Sequence, residues 1–218
     1  MTLAIGSTMK TVIILVSLLS FNAIAGTCPM GDLPNEFTLH ESFLSVTTTM
    51  NVEDSKGNPL GKVKLEFLSL RTIFNYTNNL GQLVAQAEKE PFSWGSNITI
   101  YDCNHLKIGA IKEDVVNNIL SLTKTYTIND ANGLEIAKSI KPFHLGDTHI
   151  IIGASGKDVA RLDRPWLRLK DTWKVNVSNP SIIDSRILVM IGSYKTYSDR
   201  KINSNNRKSH QGILTTNY

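Results

Sequence analysis

His144, Asp147 and His149 fall within six residues of one another in PFHLGDTHIII. A neutral imidazole can ligate a metal or shuttle a proton, and a nearby carboxylate can fix its tautomer, so this trio is the chain's nearest approach to an acid–base or metal cluster. A hydrolase-type enzyme with a site assembled from distant strands would draw on these three residues. A spacing of five in a strand or turn sets no common face, however, and no catalytic residue, metal site or cofactor is assigned from it. The chain has no Gly-x-Ser-x-Gly elbow, His-Glu-x-x-His helix, phosphate-cradling Gly-Lys-Ser/Thr loop or dinucleotide fingerprint.

Basic residues offer a different chemistry. Lys62 and Lys64 are two apart and face the same way in a regular strand. Arg161, Arg164, Arg168 and Lys170 crowd a second stretch, a hairpin and its exit. Each cation near an anionic surface contributes about 1 kcal/mol, so four would give salt-sensitive binding. These six residues are the candidate ligand-binding set, for an anionic lipid headgroup or a protein partner. A solvated exterior would carry the same residue types. Trp94, Trp166 and Trp173 are far apart and lack interleaved basic residues, so no nucleic-acid partner is expected.

The N-terminal stretch MKTVIILVSLLSFNAIA has the form of a secretory leader. Lys10 is its positive start, Val12 to Leu19 its apolar run, and Ala23-Ile24-Ala25 its small-x-small cleavage signal. Residues 1–25 are therefore expected to be a cleaved signal peptide, and the mature chain to be secreted or periplasmic. Lys10 is the sole charge there, so a chain of net charge +4 stays mildly basic after export. In an oxidising compartment Cys28 and Cys103 can pair, which would close a long loop; the sequence leaves open whether they do.

The elements that must position all these residues show an internal echo. Five segments share a β-rich run, a polar turn and a second β-rich run: VEDSKGNPLGKV, YTNNLGQLVAQA, IYDCNHLKIGAI, INDANGLEIAKS and IGASGKDVARLD. Asp54, Asn78, Asp102 and Asp130 can bond the backbone two residues ahead, and a following Gly takes positive φ at little cost. DANGLEIAK, with Asp130, Asn132 and Gly133, lacks the bidentate Glu of a calcium loop and reads as a turn. Regular turns between short strands predict a meandering antiparallel sheet, closed as a barrel or folded as a sandwich.

The greasiest segment comes last, in SIIDSRILVMIGSYKTY. With Ser181 as N-cap and Asp184 in the first turn, a helix over about 182–197 places apolar residues around nearly its whole circumference. Such a helix must be buried on all sides, yet its apolar core is too short to span a bilayer. A closed sheet can enclose it. The polar, aperiodic run 201–218 is expected to be a disordered basic tail.

The run GKDVARLDRPWLRLKDTWKVNVSNPSIIDSRILVMIGSYKTYSD, residues 156 to 199, resembles the C-terminal signature of the LURP-one-related family: a Gly-x-x-Val-Ala-x-x-x-Arg hairpin, a Trp-x-Val strand and a final Asp-containing hydrophobic helix. The upstream Asp-x-x-Gly hairpins extend that resemblance over roughly residues 36–200. It implies the tubby-like C-terminal fold shared with phospholipid scramblases: a mainly β protein, a closed antiparallel barrel of about twelve strands around a buried C-terminal helix, forming one domain over 26–200. Tubby domains hold phosphoinositide headgroups with basic residues on neighbouring strands. The acidic calcium segment of scramblases has no counterpart here, because that place reads RLKDTWKVNV. The expectation is thus a secreted, monomeric, non-catalytic binding module that touches an anionic membrane surface or a protein partner.

Overall fold

The structure is a computed structural model that describes residues 28–29, 33–42, 48–68, 71–91, 97–113, 125–139, 149–164 and 172–214. Its strands are β1 (Glu36–Glu41), β2 (Thr49–Asp54), β3 (Pro59–Leu68), β4 (Arg71–Asn78), β5 (Leu83–Lys89) and β6 (Asn97–Asp102), then β7 (Lys107–Glu113), β8 (Tyr126–Asn129), β9 (Glu135–Ser139), β10 (His149–Ala154), β11 (Lys157–Asp163) and β12 (Thr172–Val177). Among the described residues one helix, α1 (Ser185–Leu214), follows. Each strand pairs antiparallel with its sequence neighbours, and β1 pairs with β12 to close a twelve-stranded barrel. Mainly β, closed and wrapped around one helix, the architecture is the one expected.

Local chemistry explains the meander. At four hairpins an Asx side chain takes up the turn's backbone donors: Asp54 Oδ1 accepts from the N–H groups of Lys56 and Asn58, both at 2.8 Å. Asn78 does the same for Leu80 and Gln82, Asp102 for Asn104 and Leu106, and Asp130 for Asn132 and Leu134. The residue that reverses the chain has positive φ: 84° at Gly57, 79° at Gly81, 89° at Gly133 and, with a side chain, 60° at His105. The fifth hairpin, β10–β11, uses a different device, with Ser155 and Gly156 both at positive φ as a two-residue primed turn requires.

All five tight turns lie at one end of the barrel, together with the connection from β12 into α1. This is the turn end. Within the wall, alternate side chains point inward, as in β12, where Trp173, Val175 and Val177 are buried while Lys174 and Asn176 are exposed.

The interior is filled by α1. Ile187, Leu188, Val189, Met190, Ile191 and Tyr194 are all buried, and they join the inward Phe37, Leu39, Tyr76, Phe74 and Trp173 in one core. At about 1.5 Å per residue the stretch Ser185–Asp199 is roughly 21 Å long, matching the roughly 20 Å of a six-residue strand. Gly109 lets the helix approach the wall, since a Cβ there would sit 2.8 Å from Ile187 Cδ1 and 2.9 Å from the Asn129 carbonyl oxygen.

The helix differs from expectation at both ends. Asn179–Ile182 form a turn in which Ser181 Oγ donates to Asn179 Oδ1, so Ser181 does not cap. Asp184 does: its Oδ1 accepts from Arg186 N–H at 2.9 Å, and the helix starts at Ser185 instead of 182. At the other end, α1 continues past 197 to Leu214, through the segment expected as a disordered tail. Once a helix is nucleated by packing, propagation costs little, and no Pro interrupts this run. The expected leader, residues 1–25, and the last residues, 215–218, lie outside the described residues.

Candidate functional site

The six basic residues expected to bind a ligand do not share one surface. Lys62 and Lys64 are exposed on the outer face of β3, as their spacing predicts. Lys62 stands between Asn51 on β2 and Thr77 on β4, and Lys64 between Thr49 and Asn75. Next to them Asn75 Oδ1 accepts from Gln86 Nε2 at 2.8 Å. Lys64 approaches Glu66 at 3.5 Å, a loose exposed pair. The result is a two-lysine patch whose cross-strand neighbours, Thr49, Asn51, Asn75 and Thr77, are neutral hydrogen-bonding residues, with Glu66 beside Lys64 along the strand.

Arg161 faces outward on β11, and β12, β1 and β2 stand between it and β3. At about 4.8 Å per strand that separates it from Lys62 by roughly 19 Å along the wall. Its guanidinium is taken by Asp163, with Nε at 2.8 Å from Oδ1. Beside it a surface groove of about 350 Å³ runs over β12 and β1, lined by Glu36, Thr38, Ser55, Asp163, Lys174 and Asn176. The charges there are mixed in sign.

Arg164 corrects the expectation. It is 2% exposed and points into the barrel, where it cannot meet an anionic surface. Its Nη1 donates to Asp199 Oδ2 at 2.8 Å, and its guanidinium carbon lies 4.4 Å from the Trp173 ring centroid. Lys195, one helical turn before Asp199, donates to Oδ1 at 2.9 Å. Trp173 Nε1 donates to Thr196 Oγ1 at 3.0 Å, and Arg200 pairs with the inward Glu41. A buried carboxylate shared between two cations thus locks the helix to β11 as it leaves the core. Strand alternation held the signal: Leu162 is inward, so Arg164 is on the same side. Arg168 and Lys170 lie outside the described residues.

The histidine trio is also mostly beyond view. His144 and Asp147 lie outside the described residues; His149 opens β10, its backbone opposite Asp163. Among the described residues no group of three His, Cys, Asp or Glu side chains is placed to hold a metal. Burial pushes the Tyr76 hydroxyl up to about 12 and raises that of Tyr126 still further, so both remain neutral phenols. Hydrogen bonding to Asp184 holds the Arg186 guanidinium above its ordinary value, while burial lowers Arg200.

Cys28 and Cys103 form a disulfide, with Cα atoms 5.5 Å apart across 75 residues of sequence. It pins the segment ahead of β1 to the β6–β7 turn. No described helix is long and apolar enough to cross a membrane.

No family model and no curated protein sequence matches the chain. Among solved structures, it is similar to a LURP-one-related protein from Arabidopsis thaliana, at a TM-score of 0.51 and 13% identity, over 73% of this chain and 89% of that one. What the two share at that identity is the fold: a closed barrel around a C-terminal helix.

Proposed function

We propose that the protein belongs to the LURP-one-related family and is a secreted, non-catalytic binding module that holds an anionic lipid headgroup on the outer wall of its barrel. The observation that carries this reading is the filled interior. Apolar side chains from α1 and all around the wall occupy the space where a barrel of this size could otherwise enclose a ligand, so recognition falls to the outer surface. There Lys62 and Lys64 stand side by side among Asn51, Asn75 and Thr77, a set that suits phosphate oxygens. Arg161 is a weaker member, because Asp163 already neutralises it. The leader-like N-terminus supports export.

The test is co-sedimentation of the exported protein with vesicles of graded anionic lipid content at low and high salt. Binding is expected to rise with anionic content, to weaken with salt, and to fall at least about tenfold in Lys62→Glu/Lys64→Glu, since each cation contributes about 1 kcal/mol. Arg161→Glu should change it little. Binding that ignores both salt and the lysine variant would overturn the proposal and direct attention to a protein partner.

A further inference from the structure

The lysine wall continues into a histidine. Across the outer face, His40 on β1 is the register partner of Asn51 on β2, and Asn51 is the partner of Lys62 on β3. At about 4.8 Å per strand, His40 and Lys62 stand roughly 10 Å apart, about one Debye length in ordinary salt. Two carboxylates border the lysines. Glu66 lies 3.5 Å from Lys64, and Glu53 is one diagonal step, about 7–8 Å, from Lys62.

One ring atom of the histidine meets both of its neighbours on β2. His40 Nε2 lies 3.3 Å from Asn51 Nδ2 and 3.4 Å from Glu53 Oε1, and both His40 and Glu53 are partly exposed. The first contact needs Nε2 as an acceptor of the amide proton. The second needs it as a donor, so the two cannot hold together. A neutral imidazole with its proton on Nδ1 takes the first and leaves Glu53 an uncompensated carboxylate beside the lysines. An imidazolium takes the second. It neutralises Glu53, and because its nitrogen offers no lone pair, Asn51 must turn Nδ2 away, which makes that amide a donor available to an anion. The other described groups around the ring are Thr38 along β1 and, on β12, Thr172 opposite and Lys174 on the diagonal. Glu53 is thus the carboxylate that faces the ring, and Lys174 the cation.

We propose that His40 gates the lysine wall: its protonation, as pH falls through the imidazole range, takes Glu53 out of the field around Lys62 and Lys64 and strengthens their hold on phosphate oxygens. The gate presupposes the anionic-headgroup reading above and adds regulation by pH to it. Its sign follows from charge. An imidazolium adds one positive charge to the wall, and each such charge favours an anionic surface, so acid strengthens binding and base weakens it.

The experiment uses the exported protein with vesicles containing phosphatidylglycerol, whose phosphodiester stays ionised throughout, at about pH 5.5 and about pH 8. The wild type is expected to bind about fivefold more tightly at the lower pH, the effect of one added charge. His40→Gln should bind weakly at both pH values, and His40→Lys, charged at both, tightly at both. Glu53→Gln should raise binding at the higher pH. Unchanged thermal melting would show that each variant keeps the barrel intact. A second readout needs neither variant nor lipid: the Asn51 side-chain amide resonances of the wild type should move together with those of the His40 ring between the two pH values. Equal wild-type binding at the two pH values, a His40→Gln variant that keeps the full difference, or Asn51 resonances that stay fixed would overturn the gate and leave the lysine reading standing. Absence of binding at both pH values would overturn the two together.

Discussion

Asp199 and Asp163 each pair with an arginine of the same hairpin strand and its exit, and their surroundings give the two pairs different weights. Arg161–Asp163 is on the open wall, where an ion pair contributes about 0–1 kcal/mol after screening and side-chain entropy. Asp199 is buried between Arg164 and Lys195, and removing it takes a shared carboxylate from two buried cations. Asp199→Ala is expected to lower unfolding free energy by about 3–5 kcal/mol in urea titration, against less than about 1 kcal/mol for Asp163→Ala. Equal losses would mean that the inner pair is hydrated.

Among the elements, α1 imposes the tightest demands. It is apolar around nearly its whole circumference where the barrel encloses it, and polar and exposed at Arg200, Lys201 and Ser204. The wall answers it with Gly109, whose missing Cβ makes room for Ile187 and for the carbonyl of Asn129 on the paired strand. A backbone oxygen at 2.9 Å cannot swing aside as a side chain can. Gly109→Ala should therefore cost about 1–3 kcal/mol through overpacking, measurable as a lowered denaturant midpoint with an unchanged m-value. A neutral or stabilising result would show that β7 and α1 can shift apart.

For the whole molecule, closure matters most. Pairing of β1 with β12 leaves no strand edge in the barrel, and the disulfide ties the chain ahead of β1 to the turn end. Closing a loop of 75 residues stabilises by about 4–5 kcal/mol on the chain-entropy account. Cys28→Ser/Cys103→Ser is expected to melt well below the wild type, and dithiothreitol to bring the wild type down to the same temperature. If reduction changes nothing, the cysteines are not joined in solution.

The sequence by itself determined the hairpins, the strand alternation and the need to bury the last apolar segment, because Asx-turn chemistry, a period of two and a helix apolar all round are local properties. The Lys62–Lys64 pairing on one face was legible for the same reason. Only the tertiary structure decided that Arg161 is roughly four strands from those lysines, that Arg164 meets a carboxylate 35 residues away, and that His40 stands two strands from Lys62 in one row. Each depends on how the sheet closes and how its strands register, and closure is set by β1 meeting β12 across nearly the whole chain. The helix boundary moved for a related reason: Ser181 and Asp184 are both acceptable caps locally, and the turn at Asn179–Ile182 that feeds the helix into the barrel selects Asp184.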